Sequence, residues 1–245
     1  MSEAIRPGAR VAYFGGSFDP PHLGHLAVAR AARAAMRLDV VLFAPVGTQP
    51  LKTQGATATF DDRVAMTRLA IADQPGMSLS LADAPTSTGG PNYSIDTLMR
   101  LRAELPAHCM LFFLMGADSF LSLRRWHRAA EIPFAAPLIV ASRPGQRLDD
   151  LRAVLPEGLT MVPAPDAEKN ISEIEVRHYS IANTSGACAP FFLLPDLDIE
   201  ISASEIRAQL RASGAPAPEP RKLLPQPVAE YVQAHGLYRE AGNRE

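Results

Sequence analysis

The stretch VAYFGGSFDPPHLGHL, residues 11–26, places a short apolar run directly before a loop rich in glycine and proline. Val11–Phe14 has the length and composition of a strand, and the Ala-rich segment Gly24–Met36 carries its arginines at helical spacing. A strand, a tight loop and a helix in this order predict the first unit of an open α/β sheet. Ligands of such sheets bind beyond the carboxyl ends of the strands.

The same alternation continues to about residue 142. Further strands are predicted at Val40–Ala44, Ser78–Ala82, Met110–Met115 and Leu138–Ser142, and further helices at about 61–73 and at Ser94–Glu104. A fully apolar strand such as Met110–Met115 is typical of a sheet that is covered on both faces. We therefore predict an α/β fold built on a doubly wound parallel sheet of the Rossmann-like type.

The second half of the chain is less regular. We expect residues 1–200 to form one domain, with an excursion at about 166–189, followed by a small C-terminal helical part over 201–245. Within the excursion, the polar segment Asp166–Ala189 has no periodicity that assigns it. The remaining predicted elements are a helix at Asp149–Leu155, strands at Leu159–Pro163 and Phe191–Leu194, and helices at Ser202–Ala212 and Val228–His235.

Composition and charge narrow the function classes. Lys and Arg number 24 and Asp and Glu number 26, so the net charge of −2 gives no electrostatic reason to expect a nucleic-acid or membrane partner. The two cysteines lack the spacing of a zinc site or a disulfide framework. The first ten residues lack a signal-peptide core, and no apolar run approaches the roughly 20 residues of a membrane span. We expect a cytoplasmic protein, and a homo-oligomer stays open.

The first loop carries an anion-binding pattern. Gly15 and Gly16 let backbone N–H groups approach a phosphate closely, and the helix start adds a partial positive charge. His22 and His25 lie three residues apart around that start, so both can face one ligand. Gly24 leaves room for it. A plain turn with two surface histidines is the alternative, and neither P-loop spacing nor a third metal ligand is present.

A second polar pattern opens the helix predicted at Ser202–Ala212. Ser202 and Glu205 match a capping box, which is the structural alternative here. Ser204 and Arg207 are three residues apart and share one face near the helix N-terminus. A hydroxyl, a guanidinium and free N–H groups together suit a polyphosphate.

These two segments resemble known motifs. Residues 15–25 (GGSFDPPHLGH) are similar to the signature of the nicotinate-nucleotide adenylyltransferase family. Residues 201–207 (ISASEIR) are similar to its second motif, from which Ala203 and Ser204 depart conservatively, with the hydroxyl retained at 204. The His-x-Gly-His core is shared across the wider nucleotidyltransferase superfamily. The resemblance implies transfer of AMP from ATP to nicotinate mononucleotide by direct in-line attack, without a covalent intermediate.

The resemblance also implies the roles of individual residues. The catalytic residues would be His22, His25 and Arg207. The ATP-binding residues would be Gly15, Gly16, Ser17, Phe18, Gly24, Gly116, Asp118, Ser202 and Ser204. The mononucleotide-binding residues would be Asp19, Lys52, Tyr93, Ser94 and Trp126. Mg²⁺ would enter with ATP and keep most of its water ligands, so no dedicated protein cage is expected.

The acceptor is the weaker part of this prediction. The family usually has a histidine before the lysine that corresponds to Lys52, and this chain has Leu51 there. Trp126 is also compatible with a core or interface position, and Asp96 with a plain first-turn acid. Nicotinamide mononucleotide and phosphopantetheine remain alternative acceptors, and a non-catalytic nucleotide-binding protein remains an alternative class. Residue types alone do not separate the acid from the amide.

Overall fold

The computed structural model describes residues 5–51, 55–87, 89–142, 148–164, 174–195, 197, 201–212 and 222–239. Within these ranges, one eight-stranded sheet forms the centre of the protein, in the order β3-β2-β1-β4-β5-β8-β7-β6. Its strands are β1 Arg10–Gly16, β2 Val40–Pro45, β3 Met77–Leu79, β4 Met110–Gly116, β5 Leu138–Ala141, β6 Leu159–Pro163, β7 Arg177–Asn183 and β8 Cys188–Leu194.

The described helices lie on both faces of this sheet. They are α1 Leu23–Met36, α2 Phe60–Ile71, α3 Ser94–Glu104, α4 Ala117–Phe120, α5 Ile132–Ala135, α6 Leu148–Ala153, α7 Ala203–Ala212 and α8 Gln226–Ala234, with 3₁₀ turns at Leu123–Arg125 and Ala129–Glu131. In the described ranges, no helix has the length and hydropathy needed to cross a membrane.

Local signals explain where several helices begin and end. The Thr59 side chain accepts a hydrogen bond from the Asp62 N–H at 3.1 Å, so α2 starts with a side-chain cap and acidic first-turn residues. Gly236 follows α8 with φ of 62°, a left-handed conformation that suits glycine and ends the helix. The bounds predicted for α3, Ser94–Glu104, are those observed.

The predicted doubly wound parallel sheet is confirmed over most of its width, but one edge is antiparallel. The six strands from β3 to β8 in the sheet order are parallel, but β7 pairs antiparallel with both β8 and β6. A tight turn joins β7 to β8, because the Asn183 side chain accepts from the Ser185 and Ala187 N–H groups and Gly186 adopts φ of 85°. Strands joined by so short a turn must be antiparallel. The unassigned excursion thus contains a β-strand.

Two apolar layers cover the sheet, and neighbouring residues of β1 point into different ones. Tyr13 packs in the layer shared with α3 to α6, which we call the α3 face. Phe14 packs in the layer shared with α1, α2, α7 and α8, which we call the α1 face. Beyond β1 the chain winds towards β2 and β3, whereas from β4 it winds towards β5 and β8. This reversal opens a crevice between the carboxyl ends of β1 and β4.

Candidate active site

A cleft of about 900 Å³ occupies this crevice. Every predicted site residue that the structure describes lines it: Gly15, Gly16, Ser17, Phe18, Asp19, His22, Gly24, His25, Tyr93, Ser94, Gly116, Asp118, Trp126, Ser202, Ser204 and Arg207. Lys52 lies outside the described residues, although the adjacent Leu51 lines the cleft. The two motifs, 180 residues apart in sequence, therefore meet at one place.

The two histidines form a stacked pair at the start of α1. His22 caps the helix and His25 lies in its first turn, with ring centroids 3.7 Å apart. The His22 backbone N–H donates to His25 Nδ1 at 3.2 Å. Since Nδ1 is an acceptor, the neutral His25 ring carries its proton on Nε2. The first turn of α1 contains no acidic residue, which suits an anion at this helix end.

Burial controls the charge of His25. Its ring is partly buried and contacts Phe18, a residue of the α1 face, edge-to-face with the ring centroids 5.0 Å apart. Burial lowers the pKa of His25 well below its usual value, and the neighbouring His22 lowers that pKa further. The ring is therefore neutral at pH 7 in the absence of a ligand. It acts as a hydrogen-bond donor through Nε2 without carrying a charge.

The glycines of the cleft differ in how much space a side chain would have at each position. A Cβ at Gly15 would collide with the Tyr13 hydroxyl, and one at Gly16 would come within 3.2 Å of the Phe18 ring. Packing thus strongly favours glycine at residue 15 and favours it less strongly at residue 16, in addition to the phosphate approach that we predicted. At Gly116, by contrast, a Cβ would meet no atom within 4 Å in the described part of the chain. Gly116 faces open space in the cleft.

Asp19 binds residues from three distant segments, which we call the Asp19 cluster: Asp19, Thr57, Ala58, Arg207 and Tyr238. The Asp19 carboxylate accepts from the Thr57 N–H at 2.7 Å, the Ala58 N–H at 3.0 Å and the Tyr238 hydroxyl at 2.8 Å. Arg207 Nη1 donates to the Asp19 main-chain oxygen at 2.6 Å. Asp19 is only 3% exposed.

This arrangement differs from the predicted role of Asp19 as a mononucleotide ligand. Its carboxylate already has three donors within the protein and lies on the α1 face, so the geometry favours a positioning role. The predicted pairing of Ser204 with Arg207 is present, because Arg207 Nη2 donates to Ser204 Oγ at 3.2 Å. The Ser202 carbonyl accepts a hydrogen bond from the Ile206 N–H at 3.0 Å, in the first turn of α7.

Arg63 on α2 holds the backbone of the first loop, and the sequence analysis did not identify it as a site residue. It is 2% exposed, donates from Nη1 to the Ser17 carbonyl at 2.8 Å, and contacts the Gly47 carbonyl through Nη2 at 3.5 Å. Burial lowers the pKa of Arg63, whereas nearby Asp19 acts to raise it. In sequence, Arg63 looks like any charged residue of an amphipathic helix. No local pattern distinguishes it.

A second carboxylate lies on the α3 face, in what we call the Asp83 cluster: Tyr13, Asp83 and Thr97. The hydroxyls of Tyr13 and Thr97 both donate to the Asp83 carboxylate in short hydrogen bonds. All three residues are at most 3% exposed. Burial raises the pKa of Asp83, and it raises the pKa of Tyr13 well above its usual value, with a further contribution from Asp83. The cluster joins β1 to α3 and was not predicted.

Aromatic side chains line the same half of the cleft. The Tyr93 and His127 rings lie 4.2 Å apart, tilted by 30°. Trp126 donates from Nε1 to Ser122 Oγ at 2.9 Å and is half-buried, and its indole packs against the α3-face core. This hydrogen bond fixes the indole orientation. Arg128 lies 3.6 Å from exposed Asp96, so the interpretation of Asp96 as a first-turn acid is the one that fits.

The loop after β2 is tied to both halves of the cleft. Ser17 Oγ donates to Gln49 Oε1 at 3.2 Å. Asn92 accepts from the Thr48 N–H at 2.9 Å and donates to the Ala84 carbonyl at 2.8 Å. The loop is thereby positioned between the phosphate-binding segment and the start of α3.

The donor set of the cleft suits a cation that arrives on a polyphosphate. In the described ranges, no three His, Cys, Asp or Glu side chains cluster in a way that could hold a metal ion. Asp19 and Asp83 are occupied by internal donors, and Asp118 is the exposed carboxylate that lines the cleft. The residues present thus fit a cation held mainly by phosphate oxygens and water.

Comparisons with known proteins agree with this geometry. A family model described as Cytidylyltransferase-like matches residues 13–209. A curated protein of Gloeobacter violaceus is 37% identical over 231 residues, which cover 94% of this chain and 97% of the relative. One of Stenotrophomonas maltophilia is 39% identical over 231 residues, which cover 93% and 96%. Both carry the name "Probable nicotinate-nucleotide adenylyltransferase".

A solved structure shows the same fold. It is that of the Plasmodium falciparum nicotinic acid mononucleotide adenylyltransferase complexed with NaAD, which has a TM-score of 0.66 and 16% sequence identity. The match covers 94% of this chain and 97% of that one. On the matched family model and on the extent and identity of its curated relatives, this chain belongs to the nicotinate-nucleotide adenylyltransferase family of cytidylyltransferase-like proteins.

Proposed function

We propose that this chain transfers AMP from ATP to nicotinate mononucleotide, giving deamido-NAD and pyrophosphate in the biosynthesis of NAD. The observation that carries the proposal is the composition of the cleft. It brings the His22–His25 pair and Arg207 together with Tyr93 and Trp126. The first group suits a polyphosphate and the second suits an aromatic ring.

In this proposal the ATP site lies on the α1 face. ATP would bind the residues predicted from the motifs: Gly15, Gly16, Ser17, Phe18, Gly24, Gly116, Asp118, Ser202 and Ser204. The open space at Gly116 supports a close approach of the nucleotide. The helical part over 201–245 would complete the ATP site of the domain over 1–200. The contact of Arg207 with the Asp19 main chain supports a site that is built from both parts.

The chemistry is a direct displacement. A phosphate oxygen of the mononucleotide attacks the α-phosphorus of ATP, the bond from that phosphorus to the bridging oxygen breaks, and pyrophosphate leaves. The attacking phosphate is ionised at neutral pH, so no general base is needed. His25 donates from Nε2 to the α-phosphate as negative charge builds, His22 holds an adjacent oxygen, and Arg207 stabilises the departing pyrophosphate.

The nicotinate mononucleotide would occupy the α3 face. Trp126 is oriented by Ser122 to stack on the pyridine ring, and Tyr93 and Ser94 lie at the start of α3, where backbone N–H groups favour a carboxylate. Lys52 keeps its proposed place near the mononucleotide phosphate. The names of the curated relatives support the acid as the acceptor rather than the amide.

ATP would enter as its complex with a divalent cation, for which we propose Mg²⁺. That ion shields the phosphate charges when it is bound. Among the carboxylates that line the cleft, we propose Asp118 as the one that would bind this ion, directly or through water.

One assay tests the proposal. Pyrophosphate release from ATP is measured with nicotinate mononucleotide, nicotinamide mononucleotide and phosphopantetheine in parallel. We expect the highest kcat/KM with nicotinate mononucleotide. A preference for another acceptor would leave nucleotidyl transfer standing and overturn the acceptor assignment, and no release with any of them would overturn the enzymatic function.

A further inference from the structure

Tyr238 contacts the first loop from the far end of the described chain. It lies 219 residues after Asp19, and its hydroxyl donates to Asp19 Oδ1 at 2.8 Å. The side chain is 5% exposed and belongs to the α1 face. Burial raises the pKa of Tyr238, and the adjacent Asp19 raises it further. The hydroxyl is therefore protonated, and a donor, throughout the neutral range.

The Asp19 carboxylate lies near the guanidinium of Arg207 but does not form a hydrogen bond with it. Arg207 Nη1 lies 3.9 Å from Asp19 Oδ2, although the two side chains are only 18% and 4% exposed. A buried arginine and carboxylate that pair directly lie about 2.7–2.9 Å apart. Here Nη1 instead contacts the Asp19 main-chain oxygen at 2.6 Å. The carboxylate is held off by its three uncharged donors.

The Arg207 guanidinium consequently keeps donor capacity. Among the described residues, its buried Nε has no hydrogen-bond partner, and Nη2 has only a 3.2 Å contact with Ser204 Oγ. Since Arg207 also lines the cleft and its Nη2 contact is exposed, the Nη2 group is available to an anion there. A direct ion pair with Asp19 would consume it.

We propose that the Tyr238 hydroxyl is a positioning group for ATP: it holds the Asp19 carboxylate away from Arg207 and so leaves the guanidinium to bind phosphate. This proposal rests on the proposed function, because it takes the phosphates in the cleft to be those of ATP. Without the hydroxyl, Asp19 Oδ1 loses a donor, the carboxylate turns towards Arg207, and the resulting ion pair competes with the nucleotide.

The first test is Tyr238→Phe, which removes only the hydroxyl. We expect the KM for ATP to rise about tenfold, which is the ratio that corresponds to one hydrogen bond to a charged group, while the KM for nicotinate mononucleotide stays within about twofold. Tyr231→Phe is the matched control. Its hydroxyl also donates to a carboxylate, Asp62 Oδ1, at 3.0 Å, but that pair is partly buried between α8 and α2 and does not line the cleft.

The second test is a double-mutant cycle read by calorimetric binding of MgATP in the absence of an acceptor. Tyr238→Phe should weaken ATP binding about tenfold in the wild-type background and less than twofold in an Arg207→Ala background. Non-additivity of this kind is expected only if Tyr238 acts through Arg207. Tyr231→Phe should change the dissociation constant less than twofold in both backgrounds.

Other outcomes overturn the proposal. Equal losses in both backgrounds would show that the hydroxyl does not act through Arg207. A lowered melting temperature with an unchanged KM for ATP would make the hydroxyl a support of the fold alone. A Tyr238→Phe chain that does not fold would lead to the same conclusion. Because the cycle needs no acceptor, it remains readable if the wild-type chain fails to use nicotinate mononucleotide, so the two proposals fail separately.

Discussion

The cleft contains two buried carboxylates that each accept a hydrogen bond from a tyrosine hydroxyl, one on each face of the sheet. The Asp19 cluster adds two backbone N–H donors and lies beside Arg207. The Asp83 cluster has only hydroxyl donors, and burial raises the pKa of its carboxyl group. A tyrosine–aspartate pair therefore lies in each half of the site. We call the half on the α1 face the charged half and the half on the α3 face the apolar half.

This difference follows the chemistry proposed for each half. On the α1 face, the proposed reaction develops charge at phosphorus, and the groups that surround it are held by hydrogen bonds from backbone N–H groups, a hydroxyl and a guanidinium. On the α3 face, a ring has to be positioned, and there a buried hydroxyl network supports the wall that carries Tyr93 and Trp126. Changes in the first half should alter turnover, and changes in the second should alter stability and acceptor affinity.

The largest expected effect tests the charged half. His25→Ala should lower kcat by about 10²–10³, because it removes a donor that acts on charge developing in the transition state. Pyrophosphate release under saturating substrates measures it. His235→Ala, an exposed histidine at the end of α8, is the control and should stay within about twofold. Unchanged turnover in His25→Ala would reject the assignment.

The next effect tests the apolar half. Tyr13→Phe should lower the free energy of unfolding by about 1–3 kcal/mol, because it leaves the buried Asp83 carboxylate with one donor fewer. Denaturant unfolding measures this loss, with Tyr179→Phe on β7 as the comparison.

The pH dependence gives the Tyr13→Phe prediction a sign. The folded pKa of Asp83 lies above its ordinary 3.8, so the folded state binds more protons and stability declines as pH rises through the range that begins there. Loss of the Tyr13 donor raises this pKa further. The variant should therefore lose more stability at neutral pH than at pH values near 3.8, and the opposite order would contradict the charge assigned to this cluster.

Trp126→Ala should separate the two halves in a single experiment. The KM for nicotinate mononucleotide should rise about tenfold, in line with roughly 1–3 kcal/mol for a stacked ring, while the KM for ATP stays within about twofold. Trp126→Phe should retain most of the affinity. A parallel rise in both KM values would mean that the halves are not independent. The chain has a single tryptophan, so its fluorescence also reports acceptor binding directly.

The smallest effect concerns the partly buried imidazole of His25. The folded pKa of His25 lies below its ordinary 6.5, so the unfolded state binds more protons below that pH and stability is lost as pH falls. His25→Gln should flatten the stability profile below pH 6.5, by at most about 1.4 kcal/mol per pH unit. Equal slopes in both proteins would show that burial does not suppress protonation.

The charged half could be predicted from sequence because its signals are local. Residues 15–25 form one contiguous loop, and Ser204 and Arg207 lie one helical turn apart, so spacing alone places each group on a common face. The helix α3 was predicted at its observed bounds for the same reason, since its first-turn acid and apolar spacing are both short-range.

The apolar half and the sheet edge were harder to predict because their determinants are distant in sequence. Tyr13 looked like one more apolar strand residue, and its partner Asp83 lies 70 residues away. In the charged half, Arg63 and Tyr238 were missed for the same reason, because their partners Ser17 and Asp19 are far away in sequence. In β7, only Ile181 is fully buried, so the alternation that marks a strand was too weak to recognise.

The bond between Asp19 and Tyr238 also has a consequence for synthesis on the ribosome. The loop that contains Asp19 emerges among the first residues, whereas its partner is translated only after the whole sheet. A nascent chain shorter than 238 residues can build the central strands and still lack the hydroxyl that donates to Asp19. If Tyr238 has the role proposed above, full affinity for the nucleotide should therefore be acquired only after Tyr238 has been translated and has docked on the first loop.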